Sequence, residues 1–258
     1  MPSIDLNCDV GESFGARTRG ADDELLRHVS SASVACGLHA GDPSVMRRTL
    51  RAALERGVAV GAHPGLPDLA GFGRRALDVT PEQAYELVLY QAGALLGFAL
   101  AAGTRLAHVK PHGALYLMAA RDRALADAIA TAVRDLDHSL VLFGLAGSAL
   151  VAAGDAAGLV TAPEGFADRN YLRDGSLVPR ERADALVPDP AAAAERAVRM
   201  AAEGRVRPVD GADIALVPRT ICIHGDAPGA AALARAVREA LERAGIAVTA
   251  AAVRGEAG

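Results

Sequence analysis

The residue types able to do chemistry are concentrated in a few places. Of the seven histidines, His39, His63, His112 and His224 each directly follow an apolar, strand-like segment. Asp9, Glu12, Asp42, Lys110, Glu164, Asp168 and Asp226 stand in the same positions. Carboxylates and imidazoles together can move protons, and the same groups can hold a divalent metal. An ammonium beside them can stabilise a negative oxygen. One histidine after a strand is as often structural as functional; four in register point to a shared site. His28 and His138 sit in helical or connecting contexts and carry no such signal.

Lys110 is the only lysine among 27 basic residues. A compact ammonium kept where the chain otherwise uses arginine suits a narrow pocket or contact with a carbonyl or phosphate oxygen. Around it, HVKPH (108–112) spaces two histidines four apart, but Pro111 prevents the regular helix that would set both on one metal-binding face. A metal held from separate strands by Asp9, His39 and His63 remains open, since a carboxylate with two histidines is a common hydrolytic set. In GFGRRA (71–76) two glycines allow close backbone approach, and Arg74 with Arg75 could hold a carboxylate or phosphate. The same stretch does not follow a strand, so it is no dinucleotide fingerprint. The chain contains neither a G-x-x-x-x-G-K-[ST] loop nor a G-x-S-x-G elbow, leaving acid/base groups, charge stabilisation or a metal as the means of catalysis.

These residues need a scaffold that gathers strand ends. Apolar, β-branched runs alternate with Ala/Leu/Arg segments of helical period, the pattern of βα repetition around a parallel sheet. Strands are predicted at 3–8, 32–36, 58–62, 106–110, 140–144, 158–162 and 220–224, with another at 246–250. In IDLNCD, Asp5, Asn7 and Asp9 share one face; a parallel strand is buried on both faces, so this polar row should line a barrel interior or a site. Asp42-Pro43 and Thr80-Pro81-Glu82-Gln83 mark helix starts, the second with a capping box opening a helix to about Ala102. Residues 163–188 show no period and read as a long functional loop or a small hairpin. No linker divides the chain, so residues 1–258 are expected to form a single domain.

Composition narrows the function further. A net charge of −4 and a pI near 6.0 offer no basic footprint for nucleic acid. The acidic start MPSIDLNCDVGES reads against a secretory signal, and no run reads as long and uncharged enough to span a membrane. Cys8, Cys36 and Cys222 form no CxxC pair and fit a reducing cytoplasm, each as a small buried hydrophobe.

The motifs IDLNCDVGESFG (4–15), VACGLHAGDP (34–43), GAHPGLPDLAGFGRR (61–75), HVKPHGALY (108–116), FADRNY (166–171) and ICIHGDAPGA (221–230), in this order, closely resemble the LamB/YcsF family. Ser33, Leu38, Leu66 and Leu117 depart from the family's frequent residues. The resemblance implies ATP-dependent opening of 5-oxo-L-proline to L-glutamate, performed with two partner subunits, B and C. It also implies an irregular (β/α) barrel of about seven parallel strands, related to the glycoside hydrolase/deacetylase fold. On that basis Asp9, His63, Lys110 and His112 are the expected catalytic groups, with Asn7, Glu12, His39, Arg74, Arg75 and His224 around the substrate. The expected cofactors are ATP with Mg²⁺, or a metal in the site. A metal-dependent deacetylase or amidase, and a protein that binds ligand without catalysis, are the alternatives.

Overall fold

The computed structural model describes residues 1–15, 21–225 and 229–251. In chain order the elements are β1 (Ser3–Val10), α1 (Asp22–Leu25), β2 (Ser31–Ala35), α2 (Pro43–Leu54), β3 (Ala59–His63), α3 (Pro81–Ala101) and β4 (His108–Val109). They continue with α4 (Gly113–Ala119), α5 (Arg123–Leu136), β5 (Val141–Leu145), α6 (Ala149–Ala156), β6 (Val160–Phe166), α7 (Pro190–Glu203) and β7 (Arg205–Val206). The last are β8 (Ile214–Ala215), β9 (Thr220–Ile223), α8 (Ala230–Arg243) and β10 (Ala247–Val248).

Seven strands close into a parallel barrel in the order β1-β2-β3-β4-β5-β6-β9, with β9 returning to β1. Closure follows from β1 pairing on both edges: Asn7 lies opposite Ser31 of β2 and opposite Cys222 of β9. The irregular barrel expected from the resemblance is therefore present. The strand expected at 246–250 is β10, which extends the start of β1 outside the ring, with Ser3 opposite Ala247. Residue patterning carries no sign of β7 and β8, which pair as a short antiparallel ribbon.

Three boundaries differ from expectation in ways that matter for the site. β1 runs two residues further, to Val10, so Asp9 lies within the strand. β6 starts later and runs to Phe166, pairing Glu164 with Thr220, so Glu164 is an interior strand residue and does not sit in a loop. β4 is confined to His108–Val109 because Pro111 cannot donate to the ladder. Beyond β6, the irregular segment folds on itself through the bridges Arg169 to Leu186 and Tyr171 to Leu177.

The helices form where their caps predict. Asp42 accepts from the backbone of Ser44 and Val45 ahead of Pro43, and Thr80 and Gln83 complete a reciprocal capping box on α3. Ala84, Ala92 and Ala99 of α3 and Ala126 and Ala130 of α5 are buried, so short side chains let these two helices pack closely. One expectation is corrected here. Pro81–Ala101 is, by length and composition, apolar enough to cross a membrane, with a mean hydropathy of 1.4 over its window. Its contacts with α5 and β3 bury one face, through Ala84, Val88, Ala92, Leu95 and Ala99, on the outside of the barrel.

Candidate active site

The polar row of β1 points into the barrel, as its alternation requires. Asp5, Asn7 and Asp9 are all buried, and each is held by hydroxyls, amides or charges from other strands. At the bottom, Asp5 accepts from the hydroxyls of Ser30, Ser31 and Thr220. One level up, Asn7 donates its amide to Glu164 at 2.9 Å and to Thr220 at 2.7 Å. At the mouth, Asp9 meets Lys110 and His63.

Lys110 is the centre of this network. Its Nζ lies 2.9 Å from Asp9 Oδ1, 2.9 Å from Glu164 Oε1, 3.1 Å from Asn7 Oδ1 and 3.1 Å from Cys222 Sγ. Burial works against its charge, but Asp9 and Glu164 outweigh burial and hold the ammonium well above its ordinary range. Burial likewise pushes Asp9 up, yet the opposite charge of Lys110 prevails and the carboxyl is held well below the usual carboxylate range. The two are thus a fixed charge pair at neutral pH. Tyr116 donates to the other Glu164 oxygen at 2.6 Å, so both carboxylate oxygens are engaged.

The histidines divide into two groups. His224 sits at the end of β9, its Nδ1 2.8 Å from Asp168 Oδ2, and its backbone N–H also donates to that carboxylate. This orients the ring and leaves Nε2 outside the pair, the arrangement of an imidazole poised by a carboxylate. His63 and His112 are held differently. His63 Nδ1 is 2.8 Å from the Lys110 carbonyl, and His112 Nε2 is 2.8 Å from the Phe72 carbonyl. Carbonyls only accept, so these nitrogens carry the hydrogens and the remaining ones, His63 Nε2 and His112 Nδ1, present lone pairs. Those two atoms face one another at 2.9 Å, with Asp9 Oδ2 3.4 Å from His63. His39 stacks on His112 with 3.8 Å between ring centroids. Burial, then neighbouring His63, pushes the His39 ring well below its ordinary pKa; burial, His39 and His63 do the same for His112.

A cavity of about 280 Å³ opens over Asp9, Lys110, His63, His112, Tyr116 and His224. Phe166 forms part of its wall, its ring stacked 5.5 Å from His224. The segment after β6 adds Leu177 to Glu181, and Arg169 anchors that segment by donating to the carbonyls of Val178 and Ala185. The irregular stretch singled out in the sequence is therefore a wall of the cavity.

Among the residues expected around the substrate, Arg74 lines the cavity with its guanidinium 4.8 Å from the Phe72 ring. Arg75 does not line it: its guanidinium is bound to Asp68 within the loop, which pushes the Asp68 carboxyl down to about 2. Asn7 lies beneath the cavity, engaged with Lys110 and Glu164. The metal set Asp9, His39 and His63 is not gathered as such among the described residues. Glu12, His39, His63 and His112 form one group of convergent donor atoms, all within 4.8 Å of one another, and Asp9, Cys222 and His224 form another. His108 is buried and stacks on Phe143, apart from the cavity lining. Asp226 lies outside the described residues.

Sequence reasoning left Tyr116, Cys222, Arg121 and Arg180 out of the expected site, and it named Glu164 and Asp168 only as carboxylates that follow a strand. Tyr116 follows the HVKPH segment by one helical turn, a signal that could have found it. Cys222 shares inward parity with His224, which could have separated it from Cys8 and Cys36.

The likenesses to known proteins agree with the barrel fold. The chain is 58% identical over 250 residues to the A subunit of 5-oxoprolinase from Bordetella pertussis, covering 97% of this chain and 99% of that one. The crystal structure of the lactam utilization protein from Thermus thermophilus superposes with a TM-score of 0.91 at 51% identity, over 96% of this chain and 100% of that one. A T48 deacetylase shares the fold at a TM-score of 0.50 and 14% identity, over 96% of this chain and 87% of that one. The LamB/YcsF family model matches residues 4–255, and the chain belongs to that family.

Proposed function

We propose that this chain is the hydrolytic A subunit of a 5-oxoprolinase, opening 5-oxo-L-proline to L-glutamate with ATP and Mg²⁺ in concert with subunits B and C. The observation that carries the reading is its full-length similarity to chains that bear the name of the 5-oxoprolinase A subunit. The cavity is consistent with it, being large enough to hold a small cyclic amide and floored by a fixed ammonium–carboxylate pair.

A five-membered lactam is a resonance-stabilised amide, and opening it near neutral pH needs a better leaving group, a nucleophilic water and a proton for nitrogen. Transfer of the ATP γ-phosphoryl group to the lactam oxygen, assigned to the partner subunits, makes the ring carbon electrophilic. In this cavity water adds to that carbon, its proton passing to Asp9. The ring C–N bond then breaks as nitrogen takes a proton, and a second water hydrolyses the resulting acyl phosphate to glutamate and phosphate. Lys110 stabilises the negative oxygen that develops at the tetrahedral carbon. His224, oriented by Asp168, replaces His63 and His112 as the proton donor, because both ring nitrogens of those two are already directed at protein atoms. Arg74 at the cavity wall pairs with the substrate carboxylate.

The test is glutamate release from 5-oxo-L-proline with ATP and Mg²⁺, with and without the two partners. Asp9→Asn should abolish release while circular dichroism reports an unchanged fold. Near-normal turnover by that variant would refute catalysis at this site and leave a ligand-presenting role.

A further inference from the structure

Three features beside the cavity remain unused by this chemistry. His39 is 1% exposed, and neither ring nitrogen has a hydrogen-bond partner. Leaving two buried polar atoms unmatched costs several times the net value of a hydrogen bond, so a partner is called for. Next to it, His63 Nε2 and His112 Nδ1 bring two lone pairs to 2.9 Å with no donor between them, because the Lys110 and Phe72 carbonyls take the hydrogens on the opposite nitrogens. Two acceptors in that arrangement repel unless a positive centre lies near both. Third, the backbone approaches these rings so closely that only glycine fits beside them. A Cβ on Gly65 would come within 2.5 Å of His39 Nδ1, and one on Gly73 within 2.7 Å of His39 Cβ and 2.8 Å of His112 Cδ2.

We infer that Glu12, His39, His63 and His112 form a binding site for one first-row divalent metal ion, with zinc the best match. Their donor atoms lie within 4.8 Å of one another on the loops and strand ends following β1, β2, β3 and β4, and all four residues are buried. Three imidazoles and a carboxylate match zinc and its neighbours; Mg²⁺ prefers an all-oxygen set. The carbonyls behind His63 and His112 are the outer partners that orient metal-binding imidazoles. A bound ion of this kind supplies Lewis acidity next to Asp9. The site differs from a metal centred on Asp9, which the fold groups with Cys222 and His224.

The test uses the purified full chain, stripped with a chelator and given metal alone, so its outcome is independent of the substrate assignment. Titration with Zn²⁺ should show one equivalent bound, and Co²⁺ should give visible ligand-field absorption. His39→Asn should weaken Zn²⁺ binding by about 100-fold or more, Glu12→Gln should weaken it too, and Cys222→Ser should leave it unchanged. Absence of uptake by the native chain overturns the site in favour of a shared proton between His63 and His112. Unchanged binding in a folded His39→Asn variant, or loss of binding in Cys222→Ser, also overturns it. The Co²⁺ spectrum of the native chain decides the matter if a variant fails to fold.

Discussion

Asp5 offers a quantitative test of the barrel interior. Burial pushes its carboxyl up from an ordinary 3.8 to about 6, despite hydrogen bonds from Thr220, Ser31 and Ser30. At about 1.4 kcal/mol per pKa unit, that rise corresponds to about 3 kcal/mol of stability. The sign follows from proton uptake. Between about pH 4 and pH 6 the folded chain keeps the Asp5 proton while the unfolded chain releases it, so this group's contribution to stability falls as pH rises through that window. Above the window both states are ionised and the cost is constant. Asp5→Asn mimics the protonated acid, and the hydroxyls of Ser30, Ser31 and Thr220 can rotate to serve an amide. The variant and native chain should therefore be similarly stable near pH 4, and the variant should be about 3 kcal/mol more stable at pH 7. Urea unfolding followed by circular dichroism at several pH values measures the difference directly. A difference that stays constant within about 0.5 kcal/mol across pH 4 to 7 would refute the claim that Asp5 is buried at the expense of its charge.

Lys110→Met should leave Asp9 and Glu164 as buried carboxylates without their cation, lowering stability by about 3–5 kcal/mol in urea unfolding and abolishing glutamate release by the reconstituted complex. Gly73 has φ +65° and no room for a methyl group. Gly73→Ala should cost about 1–3 kcal/mol and weaken Zn²⁺ uptake by displacing His39 and His112, as thermal melts and a metal titration would record. Thr80→Ala removes the α3 cap and should cost about 1 kcal/mol with turnover unchanged, since Thr80 does not line the cavity.

Much of the scaffold was legible in the sequence because its determinants are local. Period-two and helical patterns placed the seven barrel strands, and the caps at Asp42 and Thr80 needed only neighbours within three residues. Side-chain alternation put Asp5, Asn7 and Asp9 on the interior face, and the solitary lysine identified Lys110 before any contact was known. The boundaries of β1, β4 and β6 were less legible, because the end of a strand depends on which neighbour continues the ladder. That dependence hid Glu164 in an apparent loop.

What only the tertiary structure decided is which of these groups meet. Glu164 is 157 residues from Asn7 and 48 from Tyr116, and Cys222 is 112 from Lys110, so no spacing rule links them. Barrel closure brings them together by seating β1 between β2 and β9. Arg74 and Arg75 show the converse: adjacent in sequence and alike in type, they part because Asp68 captures one guanidinium while the other faces the cavity. The sequence by itself determined the inventory of reactive groups and the strand that carries each. Ring orientation, and with it the separation of a His224–Asp168 pair from the His39, His63 and His112 group, came from backbone carbonyls and carboxylates contributed by other segments of the chain.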